Sequence, residues 1–213
     1  VSMFDPLNQP YGATPVQEDD RQYLLEVHQG VETMAELNDL ESSNIAAARF
    51  WIRDEALDVA DLLSLPAQCD IHRRMFDQVW KWAGLIRTRE LNIGVEPYRI
   101  REDWAAALGD AEFWIENQTF SPAEVVLRLH HRMVQIHPFQ NGNGRHARIL
   151  AEELALGLGL GEDCFSWGGH LVVPLEQQRA AYLSSLRQLD RDRNEVGPLM
   201  QFALDPQTDN TWT

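Results

Sequence analysis

His137-Pro138-Phe139-Gln140-Asn141-Gly142-Asn143-Gly144-Arg145-His146-Ala147-Arg148 joins two apolar helical patterns through one tight turn. The pattern before it opens with Ser121-Pro122-Ala123-Glu124, a Ser N-cap with Pro at the first helical position and Glu three residues on. Val125, Val126, Leu129, Met133 and Ile136 then recur at helical spacing. Pro138 stops this helix, because the residue before a proline is pushed out of the α region. Ile149, Leu150, Leu154 and Leu158 carry the second pattern, which predicts a helix starting near Gly144 or Arg145.

A Gly-rich loop that opens a helix is an anion site. Its first N–H groups lack intrahelical partners, and the helix dipole favours negative charge there. Gly142 and Gly144 let the backbone turn tightly and approach a ligand. Arg145 and Arg148, three apart, share a helix face and suit a di- or triphosphate. His137 enters from the other side, where an imidazole can act as general base. A base beside a phosphate cradle points to a hydroxyl attacking a nucleotide phosphorus.

The run closely resembles the signature of the Fic family, in the wider Fic/Doc group, written HPFx(D/E)GNGRxxR. Asn141 stands where the family has Asp or Glu, and every other signature position matches. Trp82-Ala83-Gly84, Arg87 and Asn92-Ile93-Gly94 resemble the segment where Fic proteins place a target-docking hairpin. Leu37 to Trp51, with Asn38, Asn44 and Ile45, and the His-Ala-Arg ending of the signature resemble the subgroup called mobile mystery protein B. The resemblance covers roughly residues 30–203.

The resemblance implies a protein adenylyltransferase that moves AMP from ATP to a Tyr, Thr or Ser hydroxyl of a target protein. His137 is then the base. Gly142, Asn143, Gly144, Arg145 and Arg148 hold the phosphates. Arg87, Thr88, Asn92, Ile93 and Gly94 dock the target. The family's acid holds Mg2+; Asn141 offers only a neutral carbonyl oxygen, so it is a weak ligand for Mg2+ or Mn2+. The implied alternatives are a Doc-like phosphotransferase, or a catalytically weak nucleotide-binding module of a toxin–antitoxin-like pair. Asn143-Gly144-Arg145 matches the AMP-transferring loop, since Doc-like loops carry Lys in place of that Gly. Asn141 favours the weak module, and the subgroup adds a small helix-turn-helix partner.

Fic proteins are often restrained by a glutamate, in a pattern (S/T)xxxE(G/N), that pairs with the second signature arginine. Ser42 to Ala47 has Ala46 at the glutamate position, and Thr14 to Asp19 ends in Asp within a Pro-rich stretch. Glu41 is a candidate by proximity alone. The chain is read as carrying no such motif.

Composition narrows the remaining classes. The chain has 213 residues, 44% of them hydrophobic, and a formal net charge of −15. That charge reads as solubility and argues against general nucleic-acid binding, which needs clustered Lys and Arg. Cys69 and Cys164 match no zinc spacing and no disulfide framework, which suits a reducing cytoplasm. No apolar run spans a bilayer, and Val1 to Asp5 lacks the regions of a signal peptide. No Walker loop, GxGxxG or His-Glu-x-x-His occurs.

The fold class expected is all-α, a Fic-type helical bundle with a single β-hairpin flap. Residues 1–29 form an irregular segment with a short helix near Gln17–Val27, and residues 30–213 form the Fic domain. Thr33-Met34-Ala35-Glu36 is a capping box that opens a helix from Met34 to about Asp54. Pro66 opens another, running through Ile71, Met75, Val79 and Trp82 to Gly84. Ile86 to Ile100 is rich in β-formers and is the hairpin candidate. Helices resume at Glu102–Glu116, Pro122–Ile136, Arg145–Leu158, Leu175–Leu189 and Pro198–Ala203.

Overall fold

The computed structural model describes residues 18–206. Helices α1 (Met34–Asp54), α2 (Val59–Leu62), α3 (Leu65–Phe76) and α4 (Ile100–Glu116) are followed by α5 (Pro122–Ile136), α6 (Asn143–Gly157), α7 (Leu175–Arg191) and α8 (Gly197–Ala203). Short 3-10 turns occur at Glu18–Tyr23, Glu26–His28 and Pro97–Arg99. The expected helix near Gln17–Val27 is thus two 3-10 turns. Leu24 between them bridges to Trp80, and Leu25 N–H donates to Val79 at 3.0 Å, so this backbone is used for pairing instead of a continuous helix. Most of the 1–29 segment lies outside the described residues.

Two start signals act as the sequence requires. Thr33 Oγ1 accepts from Glu36 N–H at 3.2 Å, and Glu36 Oε2 accepts from Thr33 N–H at 3.0 Å, which closes the capping box of α1. Ser121 caps α5 by accepting from Glu124 N–H. Such caps each contribute about 1 kcal/mol.

α3 ends earlier than the apolar spacing predicts. Its pattern continues to Trp82, yet the helix stops at Phe76 and residues 77–84 form turns. The cause sits on α1. The Asn44 side chain donates to Arg74 C=O at 2.8 Å and accepts from Gln78 N–H at 3.0 Å, so it takes up a carbonyl of the last turn of α3 and the donor two residues beyond its end. Val79, Trp80 and Trp82 are buried all the same, because the turns fold them back onto the core.

α5 and α6 pack together at the centre, with α4 beside α5 and α3 beneath α6. Trp104, Phe139, Phe76, Ile71, Met75, Leu129 and Leu154 fill the space between them. A second cluster, built on Tyr182, Leu186, Leu189, Leu199 and Phe202, seats α7 and α8 against Leu127 of α5. Fully burying one such side chain contributes about 1.5–3 kcal/mol. The signature loop therefore hangs between two helices that are fixed on every other side.

The expected β-hairpin is not formed, and among the described residues there are only isolated bridges. Its two arms pair with the signature loop and not with each other. Ile86 bridges to Phe139, Arg87 N–H donates to Pro138 C=O at 2.9 Å, and Val95 N–H donates to Ile136 C=O at 3.3 Å. Residues 88–94 between these fastenings make an irregular excursion over the loop, mostly exposed. No helix among the described residues is long and apolar enough to cross a membrane.

Candidate active site

His137 is the C-cap of α5, with φ 53° and ψ 61°, left-handed. A non-glycine residue in this region carries strain of about 1–3 kcal/mol. Pro138 excludes the α region here, and His137 N–H still donates to Met133 C=O at 3.0 Å. The imidazole is 6% exposed. Burial, and then the Arg87 charge, lower its pKa to about 4, against a smaller raising effect from a hydrogen bond with the Val134 backbone. The ring is therefore neutral at pH 7 and able to accept a proton.

The loop is braced from inside. Phe139 N–H donates to Asn143 Oδ1, and Asn143 Nδ2 donates to Phe139 C=O, both at 2.8 Å. Phe139 is fully buried and stacks on His72, with ring centroids 3.6 Å apart. Gly84 N–H donates to His72 Nδ1 at 3.0 Å, so that nitrogen carries no proton. His72 Nε2–H then donates to Asn141 C=O at 3.0 Å. Burial holds the His72 pKa well below its usual value, with the His146 and Arg145 charges adding to that.

The two loop glycines have different reasons. Gly142 is the N-cap of α6 at φ 76°, and a Cβ there would sit 2.5 Å from Phe76. Gly144, in the first turn of α6, has a Cβ direction with nothing within 4 Å. Packing demands the first glycine; the second leaves room above the helix start. Asn143, Gly144 and Arg145 open α6, so their N–H groups have no carbonyl one turn back. Gly142→Ala is expected to destabilise by about 2–5 kcal/mol, from positive φ and overpacking together. Gly144→Ala is expected to leave the melting temperature level or slightly raised, and to weaken ATP binding. Thermal melts and calorimetry check the pair; equal stability losses would refute the distinction.

The arginines diverge from their shared face. Arg145 leans toward α1 and α3, where it forms an ion pair with Glu41 and lies 4.8 Å over the Phe76 ring. Glu41 is buried and also accepts from Trp80 Nε1 at 2.6 Å. Arg148 leans the other way, 5.0 Å over the Tyr182 ring and 5.6 Å over Trp167. Tyr182 hydroxyl and His130 Nε2 are 2.8 Å apart behind it. A glutamate from α1 thus reaches the first signature arginine and not the second. The Thr14–Asp19 pattern begins outside the described residues.

Asn141 Oδ1 accepts from Gly142 N–H at 2.6 Å. Its amide oxygen thereby closes a local turn. Among the described residues no group of three His, Cys, Asp or Glu side chains could hold a metal. The chain offers one neutral oxygen, already engaged, so any metal here depends on phosphate oxygens and water.

Of the docking candidates, Thr88, Asn92, Ile93 and Gly94 lie on the exposed excursion, whereas Arg87 is buried. Its guanidinium turns inward to the carbonyls of Ile136 and His137. Arg89 ties the excursion to Gln140 and to Asp20, each at 3.0 Å. His72, Glu41 and Tyr182 carry no local signal in the sequence. His72 and Tyr182 fall within apolar helical patterns, and Glu41 lies 104 positions from its arginine.

Together these features define an α-helical domain with a glycine-bearing loop at a helix start and a neutral histidine beside it. Residues 62–155 match the model described as the Fic/DOC family. It is 24% identical over 186 residues to a protein adenylyltransferase Fic of Aedes aegypti, covering 85% of this chain and 35% of that protein. It is 31% identical over 136 residues to a protein adenylyltransferase of Caenorhabditis elegans, covering 59% of this chain and 24% of the relative. The matches thus span about a third and a quarter of those relatives' lengths. In fold the chain resembles the BepC protein of Bartonella tribocorum, solved with bound AMPPNP. The TM-score is 0.60 at 14% identity, over 87% of this chain and 96% of that one.

Proposed function

We propose that this chain is a protein adenylyltransferase. The observation that carries the reading is a neutral His137, fixed in a left-handed turn at one end of the loop whose other end is the α6 start, where Gly144 leaves open space. The relatives' names and the AMPPNP bound in the Bartonella structure support ATP as the donor. His137 takes the proton of a target Tyr, Thr or Ser hydroxyl, whose oxygen bonds to the α-phosphorus. The bond from that phosphorus to the bridging oxygen breaks, and pyrophosphate leaves. Backbone N–H groups of residues 143–145 with the guanidiniums of Arg145 and Arg148 neutralise the departing charge. The target chain docks along the exposed run 88–94. The Fic domain extends over residues 30–213 in this reading. The unpaired cysteines Cys69 and Cys164 suit a cytoplasmic setting. The subgroup resemblance adds a small helix-turn-helix protein as a candidate partner.

Product analysis tests the reaction. With ATP and an acceptor protein, pyrophosphate release supports AMP transfer. ADP supports the Doc-like alternative, and neither product supports a binding module.

Mg2+ or Mn2+ enters this reading on ATP itself, where it shields phosphate charge, with Asn141 as a single neutral ligand. Asn141→Asp brings a carboxylate to a hard cation. The variant is expected to bind Mg·ATP several-fold more tightly than the parent and metal-free ATP more weakly, since the new charge repels the triphosphate. Calorimetry with and without Mg2+ separates the two; an unchanged metal dependence would remove Asn141 from the metal.

A further inference from the structure

We propose that Arg87 is a positioning residue whose buried guanidinium fixes the peptide of His137 and couples it to the docking run 88–94. The proposal rests on the reading of His137 as the base. Arg87 Nε–H donates to His137 C=O at 2.6 Å, and Nη2 reaches Ile136 C=O at 3.4 Å. The same Nη2 also donates to Val95 C=O, and Nη1 donates to Arg89 C=O at 2.9 Å. One planar fork therefore holds both ends of the excursion and the turn that bears the base.

Two of the partners are carbonyls at the C-terminal end of α5, where the last oxygens lack intrahelical donors and a cation is favoured. Arg87 is 4% exposed, so its desolvation is offset by these bonds and by the Glu96 charge facing it. His137 is held in a left-handed conformation that its neighbours must impose, and fixing its carbonyl fixes the direction of its side chain. Gly94 completes the fit. A Cβ there would meet Arg87 Nη2 at 2.6 Å and His137 Cβ at 2.7 Å. A target chain that shifts the excursion must therefore move Arg87, and through it His137.

Arg87 is also the charge that acts on the His137 ring. His146 and Arg145 of α6, at the other side of the loop, act on His72 of α3. Charge and geometry can thus be separated by substitution. Arg87→Gln removes both; Arg87→Lys keeps the charge and loses the planar fork. The readouts are kcat for transfer, the ATP dissociation constant, and the His137 ring resonance by NMR between pH 5 and 8.

In the parent the His137 resonance should stay flat over that range. In Arg87→Gln the resonance should begin to curve only at the low-pH edge of that range, because burial, the larger cause, remains, and kcat should fall at least tenfold. In Arg87→Lys the resonance should stay flat while kcat remains at least tenfold down. ATP affinity should change little in both. A purely structural loosening would let the Lys and Gln variants titrate alike, which would overturn the proposal; so would full kcat in Arg87→Lys. Should these variants fail to fold, Gly94→Ala keeps Arg87 but crowds it. It should lower kcat with ATP affinity little changed, and full kcat would count against the coupling. Failure of the parent to bind ATP would sink the nucleotide reading, while the resonances still judge Arg87.

Discussion

His137→Ala should lower AMP transfer by about 10²–10⁴-fold, the range a general base contributes, equivalent to about 3–5 kcal/mol of activation free energy. ATP affinity should stay within a few-fold. In the proposed site the phosphates are held by N–H groups of the α6 start and by Arg145 and Arg148, none of which depends on the imidazole. The variant should also fold, because alanine leaves the loop braces through Asn143, His72 and Phe139 intact. The pH profile of the parent adds a second signature. With its pKa lowered to about 4, His137 is neutral throughout the range from pH 8 down to about pH 5. The rate should therefore show no inflection near 6.5, the usual histidine value. Rates and ATP binding of the variant, and the profile of the parent, check this; a rate within a few-fold of the parent would remove His137 from the chemistry.

Acid should unfold this protein unusually early. His72, His130, His137 and His146 are all buried and neutral. Burial is the largest cause in each case, lowering His130 to about 3, His137 and His146 to about 4, and His72 well below its usual value. The sign follows from linkage. Below about pH 6.5 the unfolded chain takes up protons that the folded chain refuses. Stability is then lost as pH falls from about 6.5 toward 4, at about 1.4 kcal/mol per pH unit for each histidine. His130, His137 and His146 together give about 4 kcal/mol per unit near pH 5, with His72 adding in the same direction, against a whole domain stability of about 5–15 kcal/mol. Glu153, whose carboxyl is raised by burial, opposes this with one proton. Urea midpoints at pH 7 and pH 5 should differ by more than half of the pH 7 value. Equal midpoints would mean that these rings are open to water. Activity lost on acidification should then track unfolding and not the titration of His137.

The sequence was most legible where the signal is local. The Thr33–Glu36 box, Ser121-Pro122 and Pro138 each act within a turn of their own position, so α1, α5 and the end of α5 follow from reading them. It was least legible where a distant side chain decides. α3 stops at Phe76, where Asn44, 30 positions before Arg74, takes the Arg74 carbonyl. The β-formers between Ile86 and Ile100 were read as one hairpin, yet Ile86 pairs with Phe139 and Val95 with Ile136, 53 and 41 positions on. The site shows the same division. His137, Gly142 and the two arginines stand in one contiguous run, whereas His72, Glu41 and Tyr182 reach the loop from α3, α1 and α7. Arg87 was legible as a residue of the docking segment, but its inward direction is set by the unbonded carbonyls at the end of α5.

The chemistry itself can be read in a single labelling experiment. The protein is incubated with acceptor protein and Mg2+, using ATP labelled either at the α-phosphate or at the γ-phosphate. His137→Ala serves as control. AMP transfer predicts protein-bound label from the α position only, lost in the control. Label from the γ position would contradict the account, and so would α label that persists without His137.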